Sequence, residues 1–149
     1  MTKKLALMFG VSVITAVGLG FSLGIAGGHV SGGKMIASDA HDWQQLGDGP
    51  LQVAVLWGDP GTGAHGRLIK LPAGFTAPLH WHTGDYHGVN VAGTWQHSFQ
   101  DGDRDTQDLP QGSYVFQPGG GYHGDTCVGP EDCIFYLVQD TAADFHPVE

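Results

Sequence analysis

The sequence predicts a single all-β domain, built as a sandwich or a small barrel. Glycine is abundant, at 25 residues, and eight prolines interrupt the chain at short intervals. Between these breakers lie segments of strand length that are rich in β-branched and aromatic residues. None of them keeps the 3.6-residue apolar period of a helix for long. At 149 residues the chain is long enough for one core and too short for two.

Five segments carry the strand pattern, and Gly/Pro turns join them. In chain order they are LQVAVLWG (51–58), GRLIKLPAG (66–74), HGVNVAGTWQHSF (87–99), GSYVFQPG (112–119) and CIFYLVQD (133–140). We expect residues 27–40 to be a flexible lead-in and residues 41–149 to form the barrel domain, with ADFHPVE as its trailing end.

The first 26 residues have the three-part layout of a secretory signal peptide. Lys3 and Lys4 precede an uncharged apolar run, and Gly24-Ile25-Ala26 supplies the small-x-small pattern that signal peptidase needs. We expect cleavage after Ala26 and export to the periplasm or the exterior. The run is also long enough to span a bilayer as an uncleaved anchor, which is the alternative.

Loss of this segment would leave four basic residues against fifteen acids, a net charge of −11 with neutral histidines. Such a surface repels phosphate backbones and anionic lipid heads. Neither nucleic acid nor, after cleavage, a membrane is therefore an expected partner.

The two cysteines, Cys127 and Cys133, enclose the turn-forming sequence VGPED. If the flanking segments pair as a hairpin, the cysteines lie opposite each other, where a disulfide is geometrically possible. An oxidising compartment makes this bond the default expectation. Free thiols or thiol ligands to a metal are the alternatives.

The stretch HWHTGDYHG, residues 80–88, contains the first metal-binding signal. In an extended segment His80 and His82 lie on one face and Trp81 on the other. Two neutral imidazoles on one strand form a half-site for iron, copper, nickel, manganese or zinc. Two histidines alone are weak evidence in a chain that has nine.

Two blocks of regular spacing strengthen this signal. In the first, five residues separate Gly74 from His80, three separate His82 from Tyr86, and six separate Tyr86 from Gly93.

In the second block, GSYVFQPGGGYHGDTC, five residues separate Gly112 from Pro118, one separates Pro118 from Gly120, and two separate Gly120 from His123. Together the blocks resemble the two sequence motifs of the cupin superfamily. The resemblance implies a jelly-roll barrel, a double-stranded β-helix, in which His80, His82 and His123 bind one divalent transition metal (Fe, Zn, Mn, Ni or Cu).

A finer resemblance runs from LWGDP at 56 to DFHP at 144 and looks like the uncharacterised cupin group DUF4437. Two positions depart from the superfamily pattern. Tyr86 occupies the slot where a glutamate usually stands, and Cys127 stands where an asparagine often closes the second motif.

Three neutral imidazoles would leave the ion its full charge and open positions for a substrate or dioxygen. Tyr86 is the candidate catalytic residue, as a weak ligand or as an acid/base whose pKa the metal lowers. Its alternative is a barrel-lining aromatic residue hydrogen-bonded to water.

Strand alternation sends His87 to the face opposite Tyr86, whereas a β-bulge near Gly84 or Gly88 would turn it inward as a fourth nitrogen ligand. His97 could line the cavity, and the other histidines, His65 among them, are expected at the surface. The pocket wall should draw on about half of seven aromatic residues, namely Phe75, Trp95, Phe99, Tyr114, Phe116, Phe135 and Tyr136.

The first functional hypothesis is an exported, metal-dependent cupin oxygenase that acts on a small organic molecule. The alternatives are a non-catalytic module that binds a small ligand or a metal, a cupin lyase that uses Tyr86 as acid/base, and a barrel kept only as a scaffold. Export makes ferrous iron harder to maintain than zinc, copper, nickel or manganese. By analogy with other cupins, a homodimer is the expected assembly.

Overall fold

Eleven β-strands make up the regular structure of the protein in the computed structural model, which describes residues 32–100 and 106–148. No described residue is helical, so the all-β prediction is confirmed. The strands are β1 (Gln44–Gln45), β2 (Gln52–Gly58), β3 (His65–Leu71), β4 (His80–Trp81), β5 (Tyr86–Ala92), β6 (Thr94–Phe99), β7 (Gln107–Leu109), β8 (Tyr114–Gln117), β9 (His123–Val128), β10 (Cys133–Gln139) and β11 (His146–Pro147).

The strands form two sheets whose pairings are all antiparallel. One sheet has the order β1-β2-β3-β10-β5-β8, and the other has the order β11-β4-β9-β6-β7. Chain neighbours such as β5 and β6, or β9 and β10, lie in different sheets, so the chain crosses repeatedly from one to the other. This arrangement is the double-stranded β-helix that the cupin resemblance implies.

The core lies between the two sheets. Strand β10 alternates regularly, with Cys133, Phe135 and Leu137 buried on its inner face. Trp95 of β6 is 1% exposed and stacks on Phe135 with ring centroids 4.2 Å apart. Each such side chain contributes roughly 1.5–3 kcal/mol through burial, and together they join the two sheets.

Gly93 allows the chain to cross from β5 to β6. Its φ of 72° lies in the left-handed region, and a Cβ there would stand 2.7 Å from the carbonyl oxygen of Asp132. Both constraints favour glycine, which explains why this residue closes the first spaced block of the sequence.

The disulfide between Cys127 and Cys133 is present, with the two Cα atoms 5.5 Å apart. The hairpin proposed for it is wrong, because β9 pairs with β4 and β6 while β10 pairs with β3 and β5. The bond therefore joins the two sheets instead of the two strands of one ladder. Both cysteines are fully buried.

The trailing segment ADFHPVE contains β11, which pairs with β4 through His146↔Trp81 and Pro147↔His80. One other expectation is wrong. His65, expected at the surface, is fully buried on β3, and its Nδ1 donates to the carbonyl of Gly63 over 2.9 Å. The predicted signal peptide and the first five residues of the lead-in, 27–31, lie outside the described residues. Within the described part of the chain, no helix is long and apolar enough to cross a membrane.

Candidate metal centre

The structure brings His80, His82 and His123 together at one end of the barrel. His80 lies on β4 and pairs directly with His123, the first residue of β9, while His82 follows β4 by one residue. One ring nitrogen from each histidine lies within 4.8 Å of those of the other two. As alternation predicts, Trp81 points away, and it stacks on His146 with ring centroids 4.0 Å apart.

The opposite ring nitrogen, Nδ1, of each histidine is held by the backbone. A carbonyl oxygen only accepts hydrogen bonds, so Nδ1 carries the proton and Nε2 keeps its lone pair. This is how metal-binding histidines are usually oriented. The acceptors are the carbonyls of Pro78 for His80 (2.8 Å), Asp144 for His82 (2.6 Å) and Gly121 for His123 (3.1 Å).

Burial keeps the imidazoles of His82 and His123 neutral. Desolvation lowers the pKa of His82 below its ordinary value and lowers that of His123 to about 4, against the opposing attraction of the Asp125 carboxylate. A neutral imidazole is the form that binds a metal. His82 and His123 can therefore bind a divalent transition metal without prior deprotonation at neutral pH.

Tyr86, and not His87, faces this cluster. Strand β5 alternates without a bulge at its start, so Tyr86 is buried and His87 is exposed. The Tyr86 hydroxyl lies 3.3 Å from Nε2 of His123, whereas His87 points outward and its Nδ1 lies 2.7 Å from the hydroxyl of Tyr114. Burial raises the pKa of Tyr86 well above its ordinary value, so the phenol keeps its proton and donates a hydrogen bond to Nε2 of His123 in the metal-free protein.

An acid missed at the sequence level stands beside the histidines. Asp125 follows His123 by two residues on β9 and points to the same face, where its Oδ2 lies 3.6 Å from Nε2 of His80 and 3.9 Å from Nε2 of His123. Its Oδ1 accepts hydrogen bonds from Trp95 Nε1 and His97 Nδ1, both over 2.8 Å. Strand β9 thus supplies the carboxylate that is missing from the first motif.

The environment of Asp125 keeps it ionised. Burial acts to raise its pKa, but the hydrogen bond and charge of His97 prevail and hold it at about 2. His97 is buried, and its Nε2 lies 3.0 Å from Oε1 of Gln117. The amide nitrogen of Gln117 donates to the carbonyls of Pro118 and Gly121, which fixes Oε1 as an acceptor. His97 therefore acts on the site through Asp125, whose position and charge it stabilises.

A cavity of about 490 Å³ opens beside the cluster, within the usual range for small-molecule sites of about 300–1,000 Å³. Its wall is mainly apolar, and the polar groups that line it include Arg67, Tyr86 and Asp125. Sequence reasoning missed Arg67, although this residue shares the inner face of β3 with Ile69 and Leu71.

The predicted aromatic wall is confirmed for two of its seven candidates. Trp95 and Phe135 line the cavity, whereas Tyr114 and Phe116 are exposed on the outer face of the sheet. Phe75 and Phe99 are partly buried against the core, and the Tyr136 hydroxyl accepts a hydrogen bond from Nε1 of Trp57.

The trailing segment supplies site residues that the sequence did not reveal. Asp144 binds His82 through its carbonyl, and Phe145 stacks on His80 with ring centroids 4.5 Å apart. Together with the β1–β2 turn, which contributes Leu46 and Leu51, this segment borders the cavity. Its contacts depend on tertiary structure, and no periodicity in its sequence indicates them.

A double-stranded β-helix with three inward-facing histidines beside its cavity defines a cupin, a class whose members often bind a metal at this place. The chain belongs to the ChrR cupin-like domain family, whose model matches residues 31–143. The match supports the superfamily assignment, and the finer resemblance to the DUF4437 group stays a prediction.

Solved structures support the same fold at low sequence identity. The polyketide cyclase RemF from Streptomyces resistomycificus is similar with a TM-score of 0.66 and 16% identity, over 78% of this chain and 85% of that one. KdgF from Halomonas sp. is similar with a TM-score of 0.58 and 21% identity, over 72% of this chain and 94% of that one. The DMSP lyase DddQ from Ruegeria pomeroyi DSS-3 is similar with a TM-score of 0.56 and 18% identity, over 68% of this chain and 57% of that one. No curated protein matches the chain.

Proposed function

We propose that this protein is an exported metal-binding cupin that takes a small organic molecule into its cavity and acts on it as a metal-dependent oxygenase. The observation that carries the proposal is the cluster of His80, His82 and His123, each of which offers a ring nitrogen within 4.8 Å of the others, with every Nδ1 bound to a backbone carbonyl. A bound divalent metal would act as a Lewis acid and offer open positions to substrate and dioxygen.

Asp125 adds a buried negative charge to this donor set. Because its Oδ1 already accepts two hydrogen bonds, Oδ2 is the oxygen directed toward His80 and His123. A carboxylate beside three imidazoles favours retention of a dication. It also compensates for the tyrosine in the usual glutamate slot.

A second candidate function is a lyase in which Tyr86 holds the transferred proton. Metal bound to His123 would occupy the Nε2 lone pair that now accepts from the Tyr86 hydroxyl, so the hydroxyl would turn to the substrate instead. The similar fold of a DMSP lyase favours this alternative. The third candidate function of the same site is non-catalytic binding of a small ligand or a metal.

Metal analysis of the purified protein tests the central part of the proposal. We expect about one transition-metal ion per chain in the wild type, and loss of that ion in His80→Ala and His123→Ala. His87→Ala is the matched control, because it removes an exposed imidazole on the outer face. Equal metal content in all four proteins would contradict the three-histidine site.

Oxygen consumption separates the catalytic hypotheses once the metal is established. The oxygenase hypothesis predicts that the protein consumes dioxygen with at least one member of a panel of diketones, thiols and catechols. Bound metal without such uptake favours the lyase or the binding module.

Export is tested separately by the mass of the mature protein, which should begin at Gly27 if cleavage follows Ala26. The buried disulfide agrees with an oxidising compartment.

A further inference from the structure

Arg67 is a cation inside the cavity, and the described part of the chain offers it no anionic partner. It lies on the inner face of β3, between His65 and Ile69, and lines the cavity together with His82 and Tyr86. Among residues 32–100 and 106–148, its guanidinium makes no hydrogen bond or ion pair, and its Nε is buried with no acceptor. The side chain as a whole is half-buried, and a guanidinium removed from bulk water is normally paired with an anion. The residues that the structure describes supply none.

The neighbouring acids do not supply that anion. Asp125 is directed to the histidines and to His97, and Asp144 accepts from the backbone of Thr83. Burial lowers the pKa of Arg67 below its ordinary value, which is the sign expected when desolvation of a cation is not compensated. An anion that enters the cavity would offset this desolvation.

A carboxylate fits Arg67 better than other anions do. Guanidinium and carboxylate groups match in planar, bidentate geometry, and an apolar wall strengthens the charge-assisted hydrogen bonds between them. The wall here includes Ile69, Leu71 and Phe135. Because the mature chain is strongly acidic, a ligand with one negative charge meets less repulsion than a polyanion does.

We infer that Arg67 is the anchor for the carboxylate of a small monocarboxylic acid, whose apolar body fills the cavity and whose other polar group faces His80, His82 and His123. This inference rests on the proposed function for the metal end of the ligand. The carboxylate end rests on Arg67 alone, and it can therefore be tested without metal.

The test measures ligand binding to the metal-free protein by NMR titration. Three acids serve as probes, benzoate, phenylacetate and 3-phenylpropionate, and each is compared with its uncharged amide. We expect wild type to bind at least one acid about tenfold more tightly than its amide. Arg67→Gln should abolish this preference, and Arg67→Lys should retain part of it, since lysine keeps the charge without the planar fork.

Lys70→Gln is the matched control, because it removes a positive charge from the same strand on the outer face, where Lys70 lies 4.1 Å from the ring centre of Trp43. Its acid preference should equal that of wild type. Equal binding of acids and amides by wild type, no binding of any acid, or an unchanged preference in Arg67→Gln would overturn the inference.

Stability gives a second readout. Arg67→Met keeps most of the aliphatic stem and removes the unpaired charge, so the ligand-free variant should melt at the same temperature as wild type or higher. A clear fall in melting temperature would show that the guanidinium already has a structural partner, and would overturn the inference. Loss of metal binding with an intact acid preference would instead contradict the metal site alone.

Discussion

Replacing Asp125 by asparagine exchanges one oxygen of a buried carboxylate for an amide nitrogen. The remaining oxygen can still accept from Trp95 and His97, so the shape of the site is retained. The new amide would take the place of Oδ2 and direct N–H donors at the Nε2 atoms of His80 and His123. Those lone pairs are the ones that a metal ion needs.

The size of the effect follows from the charge environment. The pKa of Asp125 is held at about 2, against an ordinary value of 3.8, and each pKa unit corresponds to about 1.4 kcal/mol. The folded protein thus favours the ionised form by about 2 kcal/mol, which the neutral amide would lose. Metal affinity should fall by about 10- to 100-fold, the usual range for residues that bind or orient metal ligands.

Two measurements check this prediction for Asp125→Asn. Urea unfolding at pH 7 in the presence of a chelator gives the free energy of unfolding, and competition with a chromophoric chelator gives the metal affinity. Asp108→Asn is the control, because Asp108 is an exposed strand carboxylate that accepts from Gln96. If Asp125→Asn matches wild type in both measurements, the role assigned to this carboxylate is refuted.

Three further predictions follow from the site and the core. Burial holds the folded pKa of His123 near 4, below its ordinary 6.5, so the unfolded chain takes up the proton first on acidification. The unfolding free energy of metal-free protein should therefore fall by up to about 3 kcal/mol between pH 6.5 and pH 4, and His123→Gln should flatten this dependence in urea titrations. Replacing Cys127 and Cys133 together by alanine should cost about 2 kcal/mol, the value for so short a loop, and reduced wild type should unfold like the double variant. Tyr86→Phe removes one hydrogen bond, so it should change stability by no more than about 1.5 kcal/mol and leave metal content unchanged in elemental analysis; loss of metal would show that the phenol is a ligand.

The resemblance to the two cupin motifs predicted the three histidines, and strand alternation favoured the orientation found for Tyr86, with a β-bulge that would bring His87 inward left open as the alternative. His80, His82 and His123 stand in two spaced blocks, and period-two alternation places Tyr86 inward and His87 outward. The same alternation could have identified Asp125, two residues after His123 on one strand. It was overlooked because the superfamily pattern places the acid in the first motif.

The sequence could not predict features that depend on which strands become neighbours. The segments around Cys127 and Cys133 look like a hairpin locally, but their partners lie far away in the chain and belong to two sheets. Likewise, nothing in ADFHPVE indicates that Asp144 and Phe145 contact His82 and His80. Such pairings are decided by the whole barrel and not by a window of residues.

The short strand β4 has a consequence for the order of folding. It carries two residues, and its register is set by partners about forty residues later in β9 and about sixty-five residues later in β11. Contacts of such sequence separation form slowly, because long loops must close first. We therefore expect the ion-binding pocket to assemble after most of the barrel. A metal would then bind the finished protein, slow its unfolding and leave its folding rate nearly unchanged.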